Sequence, residues 1–190
     1  MGEDNKLLLP FRGKALVRHS AEQLLQSTVE QLVVVTGHES ERVEDALQGL
    51  DLRIVHNPRF ASGMSSSVKT GVSCISAEAT AFLIGLSDMP LLQPADYDLL
   101  LARYREVTLQ VERPILLPRR EDRPGNPVIF HASYRQEVLQ MPDGPHGCKP
   151  VVNRFKEQVV AIDPPSDHFF LDMDSPEEYR QVSARAKGPK

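Results

Sequence analysis

The chain has 190 residues, and at roughly 150 residues per domain this length favours one compact domain. Its 22 Lys and Arg residues against 26 Asp and Glu residues give a formal net charge of −4, with 41% hydrophobic and 25% charged residues. These are ordinary globular values, and so mildly acidic a balance is not typical of proteins that bind duplex DNA or anionic membranes. We expect a single domain over residues 1–186 and a tail at 187–190, with no nucleic acid and no membrane as partners.

The cysteines and the N-terminal residues bear on the cellular compartment. Cys74 and Cys148 are far apart and form no C-x-x-C pair, so neither a disulfide framework nor a zinc knuckle is expected. No apolar run approaches about 18 residues, and the first ten residues lack the basic-then-apolar order of a signal peptide. These features predict a cytoplasmic protein.

Apolar runs and helical stripes alternate through the first part of the chain. Residues 14–27 have apolar side chains at helical spacing, and residues 32–35 form a continuous apolar run. Such a run is typical of a parallel strand that helices cover on both faces. The alternation then predicts helices at 40–48, 64–76 and 94–105 and strands at 52–55 and 80–86. Strands and helices that take turns indicate an α/β fold with a mostly parallel sheet.

After Pro114 the pattern becomes less regular. It predicts strands at 114–118, 127–130, 158–162 and 168–171 and helices near 131–140 and within 142–155. The last helix has the clearest start, because Ser175, Pro176 and Glu178 supply the N-cap, the N1 proline and the N3 acid of a capping box.

Two acidic residues follow predicted strands at the sheet edge where open parallel sheets bind ligands. Asp88 follows the strand at 80–86, and Asp174 follows the strand at 168–171. Two such carboxylates could share one Mg²⁺ ion, with nucleotide phosphates completing its ligands. The alternative is that Asp88 caps a turn and that Asp174 interacts with the dipole of the last helix.

The segment from Asn57 to Lys69 turns into the helix predicted at 64–76. Gly63 permits a close backbone approach, and small hydroxyl residues such as Ser67 cover the first helical turn. A helix N-terminus with free N–H groups suits an anion or the edge of a base. An ordinary serine-capped helix is the alternative.

Taken together, these segments resemble the MobA-like nucleotidyltransferase family, most closely its molybdenum-cofactor cytidylyltransferase branch. The matching stretches run in family order over nearly the whole chain. They are Met1-Gly2-x-x-Asn5-Lys6-Leu7-Leu8-Leu9-Pro10 with Gly13-Lys14, Val33-Val34-Val35-Thr36-Gly37-His38, Asn57-Pro58 through Gly63-Met64-x-x-Ser67, Ser87-Asp88-Met89-Pro90, Pro124-Gly125-Asn126-Pro127 and Leu171-Asp172-Met173-Asp174-Ser175-Pro176-Glu177-Glu178-Tyr179.

The resemblance implies a three-layer Rossmann-like nucleotidyltransferase fold. It also implies Mg²⁺-dependent transfer of CMP from CTP to a molybdopterin-type cofactor with release of pyrophosphate, and a molybdoenzyme that receives the cofactor as a partner. The implied catalytic residues are Lys6, Asp88 and Asp174, of which the aspartates hold Mg²⁺ and the lysine neutralises triphosphate charge. The implied nucleotide-binding residues are Lys6, Thr36, Gly37, Gly63, Met64, Ser67 and Asp88. The implied substrate-binding residues are Pro124, Gly125, Asn126 and Pro127.

Two stretches depart from the family pattern. In the family, a first strand and a loop of the form L-A-A-G-x-S-x-R-M-G precede the lysine, whereas this sequence begins at the Met-Gly that would end the loop. Either the natural start lies upstream or the backbone cradle for the triphosphate is lost. We expect the chain as given to lack the first strand of its sheet and to be poorly soluble. The second departure is at 144–149, where Gly-Pro-His-Gly-Cys-Lys stands in place of the frequent Gly-Asp-x-Gly-Ala-Arg.

Other functions stay open at this point. GTP or ATP could replace CTP, because the front loop is one of the places where the family distinguishes its base. The acceptor could be another small phosphorylated molecule. From a different class, a non-catalytic protein could bind or insert molybdopterin.

Overall fold

The computed structural model describes residues 5–185, so Met1-Gly2 of the first motif and the predicted tail at 187–190 lie outside the described residues. The strands are β1 (Pro10–Phe11), β2 (Lys14–Ala15), β3 (Val33–Thr36), β4 (Arg53–His56), β5 (Ala81–Ile84), β6 (Ile115–Arg120), β7 (Arg123–Pro124), β8 (Val128–His131) and β9 (Val159–Ile162). The α-helices are α1 (Leu16–Leu25), α2 (Ser40–Leu47), α3 (Met64–Ser73), α4 (Pro94–Thr108), α5 (Arg135–Gln140), α6 (Lys149–Arg154) and α7 (Pro176–Arg185). None of the described helices is both long enough and apolar enough to span a membrane.

The pairing of the strands is mixed, where mostly parallel pairing was expected. β3 pairs with β4 in parallel, and β9 pairs with β6 in parallel. β8 lies between β5 and β6 and runs antiparallel to both, and β7 is antiparallel to β6. No helix separates β6, β7 and β8 in the chain. The chain therefore reverses at the short turn between β6 and β7, and β7 and β8 both run back antiparallel to β6.

Helices cover both faces of the larger sheet. Ile115, Leu117 and Phe130 pack in one cluster with side chains of α3, α5 and α6. The alternate residues Leu116 and Ile129 pack with α4 in another cluster. This alternation follows from the two-residue period of strands. The three layers confirm the α/β, Rossmann-like fold class.

β3 and β5 each pair along one edge only within the described residues. β3 pairs with β4, and β5 pairs with β8. α1 and α3 bridge the two sheets, because α1 packs on both the β3–β4 side and the α4 side, while α3 contacts β3 and also packs on the larger sheet. Among the described residues, β3 and β4 therefore form a sheet that is separate from the larger one.

The segment 168–171 is not the strand that its apolar residues predicted. Residues Asp167–Phe170 form a 3₁₀ turn, and Phe169 and Phe170 are 0% and 7% exposed. A strand would point these neighbours to opposite faces, whereas the turn buries both in the cluster with α4. Asp172 and Asp174 consequently follow a turn and not a strand.

The other predicted helices and strands are present, with ends that differ by a few residues. Within 142–155 the α-helix is confined to α6, because residues 142–148 form a loop in which Gly147 adopts a φ of 54°. At 131–140, a 3₁₀ turn at Ala132–Tyr134 precedes α5.

Candidate functional site

Lys6 brings Asp88 and Asp174 together. Its ammonium Nζ lies 2.6 Å from Oδ2 of Asp88 and 2.6 Å from Oδ1 of Asp174. The side chains are 32% exposed at Lys6, 15% at Asp88 and 66% at Asp174. The three residues predicted to be catalytic therefore form one ion-paired group, which we call the carboxylate cluster.

The cluster pairs one ammonium with two carboxylates, and this arrangement raises the pKa of Lys6. Burial alone would lower the pKa of Lys6, but hydrogen bonds to Asp174 and Asp88 outweigh it, so the pKa is raised. The pKa of neighbouring Asp172 is also raised, first by burial and then by the charge of Asp174. A further positive charge would therefore be stabilised here.

One oxygen of Asp88 lacks a partner among the described residues. Its Oδ1 is buried and accepts no hydrogen bond. A buried polar atom without a partner costs about 1–3 kcal/mol, and a bound cation would satisfy it. Mg²⁺ prefers oxygen ligands and commonly takes one or two protein carboxylates together with substrate phosphates. Asp88 and Asp174 fit that ion, and no group of three or more His, Cys, Asp or Glu residues within 5–185 is arranged to hold a metal.

Helix α1 anchors the turn that carries Asp88. The hydroxyl of Ser20 donates a hydrogen bond to the carbonyl of Ser87 at 2.8 Å. Nε2 of His19 lies 3.1 Å from the carbonyl oxygen of Pro90. Both sides of the turn are therefore fixed to one helix. His19 was missed by the sequence reasoning, because it lies on the side of the predicted helix away from the apolar stripe of Val17, Ala21 and Leu24.

The predicted capping box fixes the backbone at Asp174. Oε2 of Glu178 accepts hydrogen bonds from the N–H groups of Asp174 at 3.0 Å and Ser175 at 2.8 Å. The hydroxyl of Ser175 accepts one from the N–H of Glu178 at 3.2 Å, which completes the box and confirms the prediction. Met173, the residue before Asp174, is fully buried.

The turn at Lys6 links the carboxylate cluster to the end of β3. Asn5 caps this turn, and its Nδ2 donates to the carbonyl of His38 at 3.4 Å. His38 directly follows Thr36 and Gly37, so these two predicted nucleotide-binding residues lie near the cluster. The side chain of Thr36 is buried, and a Cβ on Gly37 would lie 2.6 Å from the Cβ of Phe60. Any contact with a nucleotide at 36–37 would therefore come from the backbone.

Asn57 organises the loop before α3. Its Nδ2 donates to the hydroxyls of Ser66 at 2.8 Å and Ser67 at 3.0 Å, and its Oδ1 accepts from the N–H of Arg59 at 3.0 Å. Asn57 is only 1% exposed. The predicted site residue Ser67 is thus bonded within the loop. Asn57 is part of a stretch that matches the family, but it was not predicted as a site residue. The sequence feature that could have indicated its role is the Asn-Pro pair shortly before a serine-rich helical turn.

Gly63 and Met64 connect this loop to the 144–147 segment. Gly63 has a φ of 107°, and a Cβ there would lie 2.5 Å from the carbonyl of Gly144. The N–H of Ser65 donates to the same carbonyl at 3.0 Å. Met64 is 46% exposed, and its sulfur lies 2.9 Å from the position of a Cβ on Gly147. The predicted nucleotide loop and the segment that departs from the family pattern therefore share one surface.

A second link between these segments was missed by the sequence reasoning. Lys69 pairs with Asp143 and donates to the carbonyl of Met141 at 3.1 Å. Asp143 also accepts from the hydroxyl of Ser62 at 3.2 Å. The hydrogen bond from Lys69 lowers the pKa of Asp143. This ion pair holds the two segments together from the side of α3.

The predicted substrate-binding segment 124–127, formed by Pro124, Gly125, Asn126 and Pro127, lies against the 3₁₀ turn that precedes Asp172. The N–H of Asn126 donates to the carbonyl of Phe169 at 2.9 Å, and a Cβ on Gly125 would lie 2.5 Å from the same oxygen. The peptide bond between Asn126 and Pro127 is cis. The predicted substrate-binding segment is thus hydrogen-bonded to the turn that ends shortly before Asp172 and Asp174.

Comparison with known proteins gives the family context of this geometry. Residues 1–159 match the profile of the MobA-like NTP transferase domain. The chain is 27% identical over 184 residues to nicotine blue oxidoreductase of Paenarthrobacter nicotinovorans, which covers 94% of this chain and 87% of that protein. It is 21% identical over 186 residues to molybdenum cofactor cytidylyltransferase of Escherichia coli strain K12, which covers 95% and 88%.

A solved structure has the same fold. The nucleotidyl transferase from Methanothermobacter thermautotroptrophicus superposes with a TM-score of 0.81, at 20% identity, over 96% of this chain and 85% of that chain.

Proposed function

We propose that this chain, which belongs to the MobA-like NTP transferase family and is a nucleotidyltransferase, transfers CMP from CTP to a molybdopterin-type cofactor with release of pyrophosphate. The observation that carries the proposal is the carboxylate cluster, in which Lys6 contacts Asp88 and Asp174 and a buried oxygen of Asp88 has no hydrogen-bond partner within residues 5–185. The likeness to molybdenum cofactor cytidylyltransferase supports the choice of CTP and of the acceptor. Dependence on Mg²⁺ and a cytoplasmic location are parts of the same proposal.

In this reaction a terminal phosphate oxygen of the acceptor attacks the α-phosphorus of CTP. A new P–O bond forms as the bond to pyrophosphate breaks. Such chemistry depends on in-line positioning and charge neutralisation more than on a covalent nucleophile. Asp88 and Asp174 would hold Mg²⁺, which when bound supplies positive charge at the α-phosphate. Lys6 would neutralise the triphosphate as a compact cation.

The other predicted residues have positioning roles in this proposal. The backbone at 36–37 and the loop at 63–67 bind the nucleotide, and the segment 124–127 shapes the side that receives the pterin. A molybdoenzyme that takes up the finished cofactor is the further partner.

The test measures pyrophosphate release from CTP, GTP and ATP with a molybdopterin acceptor and Mg²⁺. CTP should give the highest kcat/KM. A preference for GTP or ATP would show that CTP is not the donor. Pyrophosphate release without a pterin would show that the acceptor is a different molecule. Tight binding of molybdopterin with no release from any nucleotide would support the non-catalytic alternative.

The substitution Asp88→Asn tests the cluster directly. It replaces a metal-binding carboxylate with a neutral amide, so we expect loss of Mg²⁺-dependent release with the fold preserved, as judged by circular dichroism. Asp174→Asn should act in the same direction but more mildly, because Asp174 is the more exposed. Asp51→Asn, which makes the same change at an exposed turn, is the matched control and should leave turnover unchanged. Near-normal turnover of Asp88→Asn at saturating Mg²⁺ would show that Asp88 does not bind the metal ion in the reaction.

Oxidoreduction is a second candidate, favoured by the 27% identity to nicotine blue oxidoreductase over 94% of the chain. The same preparations can be given nicotine blue and a hydride donor, and the absorbance of the dye followed. Bleaching of the dye that survives Asp88→Asn, together with no pyrophosphate release, would favour this candidate over nucleotidyl transfer.

A further inference from the structure

Two aromatic side chains, His38 and Phe60, lie next to each other beyond the end of β3. Their ring centroids are 6.2 Å apart and their planes are tilted by 48°. This separation is within the range of about 4.5–7 Å that is usual for aromatic pairs. Phe60 is 39% exposed, and the side chain of His38 is 68% exposed. These two residues, which we call the aromatic pair, therefore present ring surface to solvent.

Local contacts hold both members of the aromatic pair in place. The N–H of Phe60 donates to the carbonyl of Asn57 at 3.2 Å. The Cβ of Phe60 lies 2.6 Å from the position that a Cβ on Gly37 would occupy, so the Phe60 side chain packs directly on the Gly37 backbone. Nε2 of His38 lies 3.8 Å from Oε2 of Glu39. The rings are therefore ordered before a ligand binds, which lowers the entropic cost of binding.

The aromatic pair is connected both to the carboxylate cluster and to the loop before α3. Asn5, which directly precedes Lys6, donates from its Nδ2 to the carbonyl of His38 at 3.4 Å. The carbonyl of Phe60 accepts a hydrogen bond from the N–H of Gly63 at 3.1 Å. Exposed ring surface therefore adjoins the turn that carries Lys6 and the loop that we propose to bind the nucleotide.

We infer that the base of the nucleotide stacks on the exposed ring of Phe60, beside His38, while the triphosphate lies at Lys6. This inference rests on the proposed function, because it needs a nucleoside triphosphate at the carboxylate cluster. A base held between the two rings would need a separation of about 7 Å, twice the carbon–carbon contact distance of about 3.5 Å. The observed separation of 6.2 Å is smaller, so the base lies on the outer surface of the pair.

This role makes Phe60 a determinant of nucleotide affinity that does not depend on which base is present. Every base has a π face, so stacking on an aromatic side chain tolerates different bases. Stacking therefore favours CTP, GTP and ATP over inorganic triphosphate, whereas discrimination among the bases needs hydrogen bonds to their edges. The pterin is also planar, but the proposed function places it at 124–127, against the 3₁₀ turn at Asp167–Phe170.

Calorimetric titration of Phe60→Leu with CTP, ATP and inorganic triphosphate, each with Mg²⁺, tests the stacking. Leucine keeps the Cβ that packs on Gly37 and an apolar side chain, but it has no π face. We expect both nucleotides to bind at least about fivefold more weakly, and inorganic triphosphate to bind as it does to the wild type. Phe155→Leu, which makes the same change at a ring that packs against Tyr134, is the matched control and should change none of the three affinities. Lys6→Gln should weaken all three ligands.

A fluorescent variant reports on the base directly. The sequence contains no tryptophan, so Phe60→Trp introduces a single indole at the proposed platform. CTP should quench its fluorescence, and inorganic triphosphate should not. Fluorescence that does not change when CTP saturates the protein would overturn the inference.

The binding measurements and the transfer assay can fail separately. Unchanged affinity of Phe60→Leu for CTP would overturn the inference even if CMP transfer is normal, and so would a variant that loses affinity for molybdopterin instead. Loss of CTP affinity in Phe60→Leu, together with no pyrophosphate release from the wild type, would support the stacking and refute the proposed function.

Discussion

The ammonium of Lys6 contacts both carboxylates that a divalent cation would also contact. In the absence of nucleotide, the cation and Lys6 therefore compete for Asp88 and Asp174. We predict that Lys6→Gln raises the affinity for Mn²⁺ without nucleotide roughly three- to tenfold, because the competing charge lies within a few ångströms. The same variant should bind CTP more weakly. Free Mn²⁺ can be followed by electron paramagnetic resonance.

A matched control separates this effect from the change in net charge. Lys156→Gln removes an exposed lysine whose ammonium makes no ion pair within residues 5–185, and it should leave Mn²⁺ binding unchanged. Equal or weaker Mn²⁺ binding by Lys6→Gln would show that Lys6 supports the ion and does not compete with it.

His19 makes stability depend on pH. Burial holds its folded-state pKa below the ordinary value of 6.5, so below that pH the unfolded chain binds a proton that the folded chain does not. The free energy of unfolding should therefore fall as pH falls through 6.5 towards the folded-state pKa, by about 1.4 kcal/mol for each unit of pKa difference. His19→Gln keeps an N–H for the Pro90 carbonyl and does not titrate. Urea unfolding at pH 5 to 8 should show a shallower slope for this variant.

The control for the pH experiment is His56→Gln. His56 is exposed at the end of β4, so this substitution should leave the slope of the wild-type protein unchanged. Parallel curves for the wild type and His19→Gln would contradict the assignment of the pH dependence to His19.

At the scale of elements, the loop before α3 depends on the absence of a side chain at Gly63. A Cβ there would meet the Gly144 carbonyl at 2.5 Å, and its φ of 107° with a ψ of 171° is essentially restricted to glycine. Gly63→Ala should lower the free energy of unfolding by about 1–3 kcal/mol and weaken nucleotide binding. Gly144→Ala is the matched control, because a Cβ at Gly144 meets nothing within 4 Å. Denaturant unfolding that shows equal losses for both variants would refute this explanation.

The sequence predicted elements well where one local pattern decided them. The run at 32–35 is apolar on both faces, and the Ser175 capping box is complete within four residues, so each could be recognised without knowledge of distant contacts. The turn at Asp167–Phe170 could not be recognised in this way. Its adjacent aromatic residues resemble a strand until the cluster that buries both of them is known.

The cluster around Lys6 could be predicted only in part. The family motifs pointed to Lys6, Asp88 and Asp174. Their direct contacts join residues that are 82 and 168 positions apart in the sequence, and the spacing of apolar residues within a helix or strand cannot predict such contacts. The antiparallel course of β8 was missed for a related reason, because it depends on which strands the sheet places side by side.

At the scale of the whole molecule, the separation of the β3–β4 sheet from the larger one predicts two levels of local stability. β6 pairs with β7, β8 and β9, whereas β3 and β4 pair only with each other among residues 5–185. Regions with fewer buried contacts open at lower free energy than the global unfolding transition. In native-state hydrogen exchange, the hydrogen-bonded amides of β3 and β4 should therefore exchange faster than those of β6. Equal protection in both sheets would show that α1 and α3 couple them into one cooperative unit.

The exposure of Met64 has a chemical consequence for the loop that carries it. Met89 and Met173, which adjoin Asp88 and Asp174, are 2% and 0% exposed, whereas Met64 is 46% exposed. Oxidants convert an accessible thioether into a polar, chiral sulfoxide, and methionine sulfoxide reductases reverse the change. Dilute hydrogen peroxide should therefore modify the loop beside Gly147 before it reaches the methionines next to the two carboxylates. The surface shared by the two loops is thus open to reversible oxidative damage from which the supports of Asp88 and Asp174 are shielded.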